Sequence, residues 1–180
     1  MTSRAQLAQR VGTGAGATRP PTARIKGRTM DAEKLKAELI EDEGYDRVPY
    51  KDTKGIWTGG IGHNLEAHGI PLEQISEWLS SGIPEATVDE WFIDDIASAT
   101  NIAQAIFGDL EALPDPAART LVNMAFDLAW ELREWHHLVQ AVRESDWQAA
   151  SASILASKWD HEGKGAANRC ERLAARIGSS

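Results

Sequence analysis

The stretch Glu41–His63, EDEGYDRVPYKDTKGIWTGGIGH, constrains the fold of this chain more than any other. A helical pattern with Leu35, Leu39 and Ile40 on one face predicts a helix over residues 31 to 43, stopped by Gly44. Val48 and Tyr50, then Asp52-Thr53-Lys54-Gly55, then Ile56 and Thr58 predict two short strands around a turn. Gly59, Gly60 and Gly62 strip the return of side chains and let backbone approach a neighbour closely. Two carboxylates and a hydroxyl, Glu43, Asp52 and Thr58, are thereby set on one sharply folded segment.

Beyond this stretch the patterning is helical. Pro71 to Ser81 predicts a short helix ended by Gly82, and Thr87-Val88-Asp89-Glu90 reads as a capping box opening a long helix to Gly108. A helix of that length can bridge two lobes. Ala117 to Trp130, with Leu121, Met124, Ala125 and Leu128 on one face, predicts a buried core helix. Shorter helices are expected over His136 to Arg143, over Ser145 to Ser157 behind a capping box at Ser145 and Gln148, and over Ala166 to Ile177. Strands early and helices later make an α+β fold.

Residues 1 to 29 are rich in Gly, Ala, Thr, Pro and Arg and offer little to bury, which predicts a disordered basic tail ahead of one domain over residues 30 to 180. Its basic, acid-poor composition faintly resembles an organelle transit peptide and equally fits an upstream extension before a natural start at Met30, the plainer reading being a segment with no address, and it lacks the apolar core of a signal peptide. The tail holds Arg4, Arg10, Arg19, Arg24, Lys26 and Arg28 and no acid, so the rest carries 13 basic against 27 acidic residues, a net charge of −14. Such an acidic body disfavours duplex nucleic acid, whose binding rests on phosphate neutralisation. The single cysteine, Cys170, excludes an intrachain disulfide and fits folding in a reducing cytoplasm.

Cleaving a glycosidic bond near neutral pH takes one carboxyl still protonated, to give its proton to the leaving oxygen, and one carboxylate that activates water or supports the oxocarbenium-like state. At the carboxyl end of a helix, Glu43 meets the negative end of the helix dipole, and partial burial also disfavours its charged form. Asp52, beside Lys51 and Lys54 in an open turn, is expected to stay ionised. Thr58, on the returning strand, can hold a water against Asp52, an arrangement for inversion. Carboxylates alone say little, because 27 acids make many such pairs.

The order and spacing of the segment narrow the reading. Glu43-Gly44, Tyr50-Lys51-Asp52, Thr58 and Gly60-Ile61-Gly62-His63 stand nine residues from Glu to Asp and six from Asp to Thr. This closely resembles the signature of the phage T4-type lysozymes, glycoside hydrolase family 24. More loosely, Asn123-Met124-Ala125-Phe126 resembles the family's central-helix motif, Trp135, Trp147 and Trp159 fall at its aromatic positions, and Asn168-Arg169 resembles its Asn-Arg before the last helix.

The resemblance implies a lysozyme-like fold, a small lobe with the hairpin and a larger helical lobe joined by the long helix. It implies Glu43 as general acid, Asp52 as base or electrostatic partner, Thr58 as the residue that positions water, and Arg169 as the partner of Glu43. Whether the arginine or the helix end and burial sets the acidity of Glu43 is left open by the sequence. Asn64, Phe126, Leu138 and Ser153 fall where the family lines its saccharide cleft, and Trp57 at an aromatic position suited to core or to stacking. The activity implied is hydrolysis of the β-1,4 bond between N-acetylmuramic acid and N-acetylglucosamine for release of phage progeny. The protein would be a monomer without cofactor, collecting in the bacterial cytoplasm and reaching the wall with the help of a holin-type membrane-permeabilising protein.

Two other readings differ in what they need. A lytic transglycosylase has no use for the water-holding Asp52 and Thr58, and a wall-binding module would not need the three polar groups at all. His63 is expected to be structural and paired with a carboxylate, and His136, His137 and His161 show no metal spacing, so no metal is expected. Asp94-Asp95 and the acids from Glu131 to Glu134 are expected on solvated helix surface.

Overall fold

The computed structural model describes residues 30–157, 159 and 166–180, with Ala166, Ala167 and Asn168 described for their backbone alone. The predicted tail over residues 1–29, His161 and the Asn168 side chain lie outside the described residues. The fold is α+β, with a small antiparallel sheet near the start and helices throughout the rest.

Helix α1, Ala32–Glu43, opens on Asp31, whose carboxylate accepts from the Lys34 amide, and ends where the Gly44 amide bonds the Ile40 carbonyl. It buries Leu35 and Leu39, the two apolar positions one turn apart. Strands β1, Asp46–Lys51, and β2, Trp57–Gly60, pair as the expected hairpin with Tyr50 opposite Thr58. A third strand, β3, His63–Asn64, adds to β2 with Thr58 opposite Asn64, and the sequence pattern did not announce it because two residues carry no alternation. Ile83, fully buried, approaches β2 so closely that a Cβ at position 59 would stand 2.5 Å from its Cδ1, which accounts for Gly59.

Helix α2, Leu72–Ser81, covers the sheet with Ile75 and Trp78. Helix α3, Glu85–Phe107, is the long connector, and it starts three residues earlier than the capping-box reading placed it. Pro84 sits at the cap position and its carbonyl takes the amides of Thr87 and Val88, so the expected Thr87–Glu90 box falls inside the helix. The helix runs from the small lobe, where Val88 and Phe92 are buried, to the large one, where Ala99, Ala103, Ile106 and Phe107 are buried.

The large lobe is built around α4, Asp115–Leu128, in which every residue from Ala117 to Ala125 is buried. A 3₁₀ segment over Ala129–Glu134 carries the chain to α5, His136–Arg143, then α6, Trp147–Ala156, and α7, Ala166–Gly178. The capping box expected at Ser145 is displaced by one residue: Ser145 lies at φ +56°, and the Asp146 carboxylate caps α6 through the Ala149 amide. Helix α7 packs on α4 and α6 and seals the core with Leu173, Ala174 and Ile177. Lobes of these two kinds, joined by α3, are the expected lysozyme-like architecture. Among the described residues no helix is long and apolar enough to cross a membrane.

Candidate active site

Glu43 occupies the last turn of α1, with its side chain about one-fifth exposed. From α7, Arg169 Nη1 reaches Glu43 Oε1 at 2.8 Å. The acidity left open by the sequence has a direction here: burial pushes the Glu43 carboxyl above its usual value, and the Arg169 charge only partly opposes it. Asp127 at the end of α4 and Asp42 beside it add to the upward push. Arg169 is itself divided, since its Nη1 lies 3.9 Å from Asp127 Oδ2, and the Trp159 indole donates to that same oxygen at 2.8 Å.

Behind Glu43 stands a buried polar cluster that joins three helices. Asp42, 1% exposed in its side chain, accepts from the Asn123 amide at 2.8 Å and pairs with Arg172. Asn123 Oδ1 in turn accepts from Arg169 Nη2 at 3.1 Å. The Arg169 guanidinium also lies over the Trp159 ring, 5.1 Å from its centroid, and Trp159 meets Trp135 edge-on. The guanidinium is thereby fixed by Asn123 and Trp159 as well as by its carboxylates, and the partner of Glu43 is held in place.

Across from α1, the turn between β2 and β3 comes against the acid. Gly62 lies at φ +65°, and a Cβ there would stand 3.1 Å from Glu43 Oε2 and 3.3 Å from its Cβ and Cγ. Gly62→Ala is therefore expected to strain the turn and displace Glu43 together, costing roughly 1–3 kcal/mol in thermal unfolding. A Gly62→Ala variant as stable as the parent would show that Glu43 has room to move.

Asp52 holds the hairpin turn, its Oδ1 accepting from the Lys54 and Ile56 amides at 2.8 Å each. It is thus a turn former whatever else it does, and the two bonds fix the carboxylate's direction. Thr58 is buried on β2 and its hydroxyl donates to the Ile56 carbonyl at 3.2 Å, which leaves the hydroxyl oxygen as an acceptor. Tyr50, opposite Thr58, feels both acids: burial first, then the charges of Glu43, Asp46 and Asp52, push its phenol up. Glu43 thus lies against Gly62, and the charges of Glu43 and Asp52 both act on Tyr50, the residue opposite Thr58.

The expected sugar contacts are dispersed. Asn64 pairs with Thr58 through β3 and uses its side-chain oxygen on the Ala67 amide at 2.9 Å. Trp57 is half-buried, with Lys51 Nζ 5.3 Å from its ring centroid, and Phe126 is half-buried beside Asp127. Ser153 lies elsewhere, in a groove of about 750 Å³ between α5 and α6 lined by Trp135, His137, Gln140 and Ala152 among others, and none of Glu43, Asp52 or Thr58 borders it. Leu138, expected at the cleft, is fully buried in the core and offers no surface to a ligand. Its apolar side chain follows the helical period of α5, which points it inward with Ala141 and Val142.

His63 is structural as expected, with Nδ1 at 2.7 Å from Asp95 Oδ2. This corrects the reading of Asp95 as solvated surface, because α3 turns that carboxylate toward β3 and leaves Asp94 exposed. Glu131 and Glu134 are exposed as expected. Asp42 and Asp127, one residue from Glu43 and Phe126, were not singled out by the sequence, and their adjacency to quoted motif residues was the only signal.

No curated protein matches the chain. The family model described as phage lysozyme matches residues 40–176, a span that holds Glu43, Asp52, Thr58 and Arg169. With a helix-end glutamate, a hairpin bearing Asp52 and Thr58, and two lobes joined by a long helix, the chain belongs to the phage lysozyme family of peptidoglycan-hydrolysing glycoside hydrolases.

Proposed function

We propose that the protein is an endolysin that hydrolyses the β-1,4 bond between N-acetylmuramic acid and N-acetylglucosamine with inversion, and that Glu43, Asp52 and Thr58 carry the reaction. The observation that supports this most is the state of Glu43, a carboxyl pushed up by burial at a helix end and held against Arg169 at 2.8 Å. Burial favours the protonated form of such a carboxyl, the form that has a proton to give.

In this reading Glu43 donates its proton to the glycosidic oxygen as the bond from that oxygen to the anomeric carbon breaks. Water attacks the same carbon from the opposite face. Thr58, whose hydroxyl oxygen remains an acceptor, takes one hydrogen bond from that water, and Asp52 receives the proton it loses. Asp52 then gives that proton up to solvent, and solvent returns one to Glu43. Arg169 stabilises the glutamate once it is ionised, and Asn64, Trp57, Phe126 and Ser153 are the proposed sugar contacts. The chain acts as a monomer without cofactor from residues 30 to 180, is made in the host cytoplasm for lysis by phage or prophage, and depends on a holin-type protein for passage to the wall.

The test is digestion of purified peptidoglycan, with products read by mass spectrometry and the new anomeric centre by NMR immediately after cleavage. Free reducing muramic ends formed first as the α-anomer are expected. A β-anomer would replace inversion by retention, anhydromuramic ends would make the protein a transglycosylase, and wall binding without fragments would make it a binding module.

Asp127 gives this reading a pH signature. Glu43 is faced by Arg169 from α7, Asp127 from α4, Asp42 from α1 and Tyr50 from β1. Asp127→Asn removes a charge that pushes Glu43 up and leaves Arg169 less divided. Glu43 then loses its proton at lower pH, so the alkaline limb of the rate profile is expected to move down, with the rate in the acidic plateau little changed. A limb that stays in place would mean that Glu43 does not set it.

A further inference from the structure

We propose that His63, His68 and Asp95 form a binding site for a divalent transition-metal ion of the zinc type, on the side of the small lobe where β3 meets α3. One ligand atom from each of the three residues lies within 4.8 Å of the other two. His68 follows His63 by five positions and Asp95 follows His68 by 27, so no sequence motif announces the set. The fold alone assembles it.

The two imidazoles are prepared for the role in different ways. His68 commits Nδ1 to the Asn64 carbonyl at 2.8 Å, which places its ring proton there and leaves Nε2 as the lone-pair nitrogen, 3.9 Å from Asp95 Oδ1. A backbone carbonyl on the second ring nitrogen is the contact that orients metal-binding histidines. His63 is buried and clamped between two rings, Trp91 on one face at 4.4 Å and His68 on the other at 4.0 Å, and it turns Nδ1 to Asp95 Oδ2 at 2.7 Å. Among the described residues its Nε2 has no hydrogen-bond partner. Asp95 thus faces one histidine with each oxygen.

Two imidazoles and one carboxylate suit zinc, nickel or copper rather than calcium or magnesium, which prefer all-oxygen shells. Tetrahedral zinc with bonds of about 2.0–2.1 Å separates neighbouring ligand atoms by roughly 3.3 Å, so the His68 ring closes by about 1.5 Å and the His63–Asp95 pair opens slightly. His68 is half exposed and free to do so. The ion replaces the proton shared by His63 Nδ1 and Asp95, that ring then carries its proton on Nε2, and water completes the fourth position. Bound there, the ion ties β3 and the loop after it to the long helix, next to the Gly60–His63 return that borders Glu43.

The test uses the full chain, freed of metal with a chelator, and zinc chloride as probe. Competition with a chromophoric chelator is expected to give one zinc per chain, and zinc at about a hundredfold excess over Kd is expected to raise Tm by roughly 5 °C or more. His68→Ala, on a half-exposed side chain, is expected to weaken binding at least tenfold and abolish the Tm rise, and Asp95→Asn to weaken it as well. His136→Ala, on an exposed histidine outside the cluster, keeps both. Zinc binding that survives His68→Ala unchanged, or the absence of any Tm rise with about 1 mM zinc, overturns the site.

Discussion

Glu43→Gln is expected to lower the rate of peptidoglycan hydrolysis by about a thousandfold or more while raising thermal stability at neutral pH. The first effect follows from chemistry: an amide has no proton to donate to the leaving oxygen, and general acid catalysis contributes on the order of 10²–10⁴ in rate. The second follows from linkage. Burial holds the folded-state carboxyl of Glu43 above its usual 4.5, so the group's contribution to stability is fully present below the unfolded value and is lost as pH rises through the folded one. A neutral glutamine side chain at this position carries no such penalty. The Tm of the variant minus that of the parent should therefore grow as pH is raised from about 4.5. Urea unfolding at several pH values and a single-turnover assay of fragment release check the two halves separately. A variant that keeps a tenth of the rate would remove Glu43 from the acid role, and a variant destabilised at neutral pH would mean that the Arg169 ion pair outweighs burial.

That conflict between burial and ion pairing shows where sequence reading stops. Glu43, Asp52 and Thr58 lie within sixteen residues of one another, and their placement depends on one helix end and one hairpin, both written in local periodicity and turn residues. Arg169 was reached through resemblance alone. The acids that share it were not reached, because Asp42 meets Asn123 across 81 positions and Asp127 meets Trp159 across 32. Contacts of that separation are set by helix packing, and helix packing is not periodic in sequence. The same reason hid Asp95, whose pairing with His63 requires the long helix to pass behind β3.

Local signals also failed when a stronger neighbour competed. Thr87–Glu90 has the composition of a capping box, but Pro84, tolerated at a helix start and followed by Glu85, begins the helix first. At α6, Asp146 takes the capping bond that the pattern assigned to Ser145. In both cases the helix was expected correctly and only its first turn was misplaced. Leu138 shows the opposite error: a position carried over by resemblance was contradicted by its own apolar period, which puts it in the core with Val142.

Arg169→Met is expected to be the most damaging single change behind the site, destabilising the fold by about 3–5 kcal/mol at neutral pH and lowering Tm by roughly 10 °C. The side chain is 5% exposed and sits among Asp42, Glu43 and Asn123, with Trp159 on its face. Methionine fills part of the volume but supplies neither the charge nor the donors, so Glu43 and Asp42 lose a shared cation in a place where water cannot replace it. Asp42 retains Arg172 and the Asn123 amide, and Glu43 retains nothing comparable among the described residues. The penalty should accordingly shrink as pH falls and Glu43 takes up a proton, and the alkaline limb of the hydrolysis profile should move to higher pH, opposite to the shift expected for Asp127→Asn. Arg169→Lys separates charge from geometry, restoring part of the stability while losing the bond to Asn123 and the flat contact with Trp159. Chemical denaturation of the three proteins at acidic and neutral pH decides the matter: an Arg169→Met variant within about 1 kcal/mol of the parent at both would show that Asn123, Arg172 and the packing of α7 hold Asp42 and Glu43 without the guanidinium.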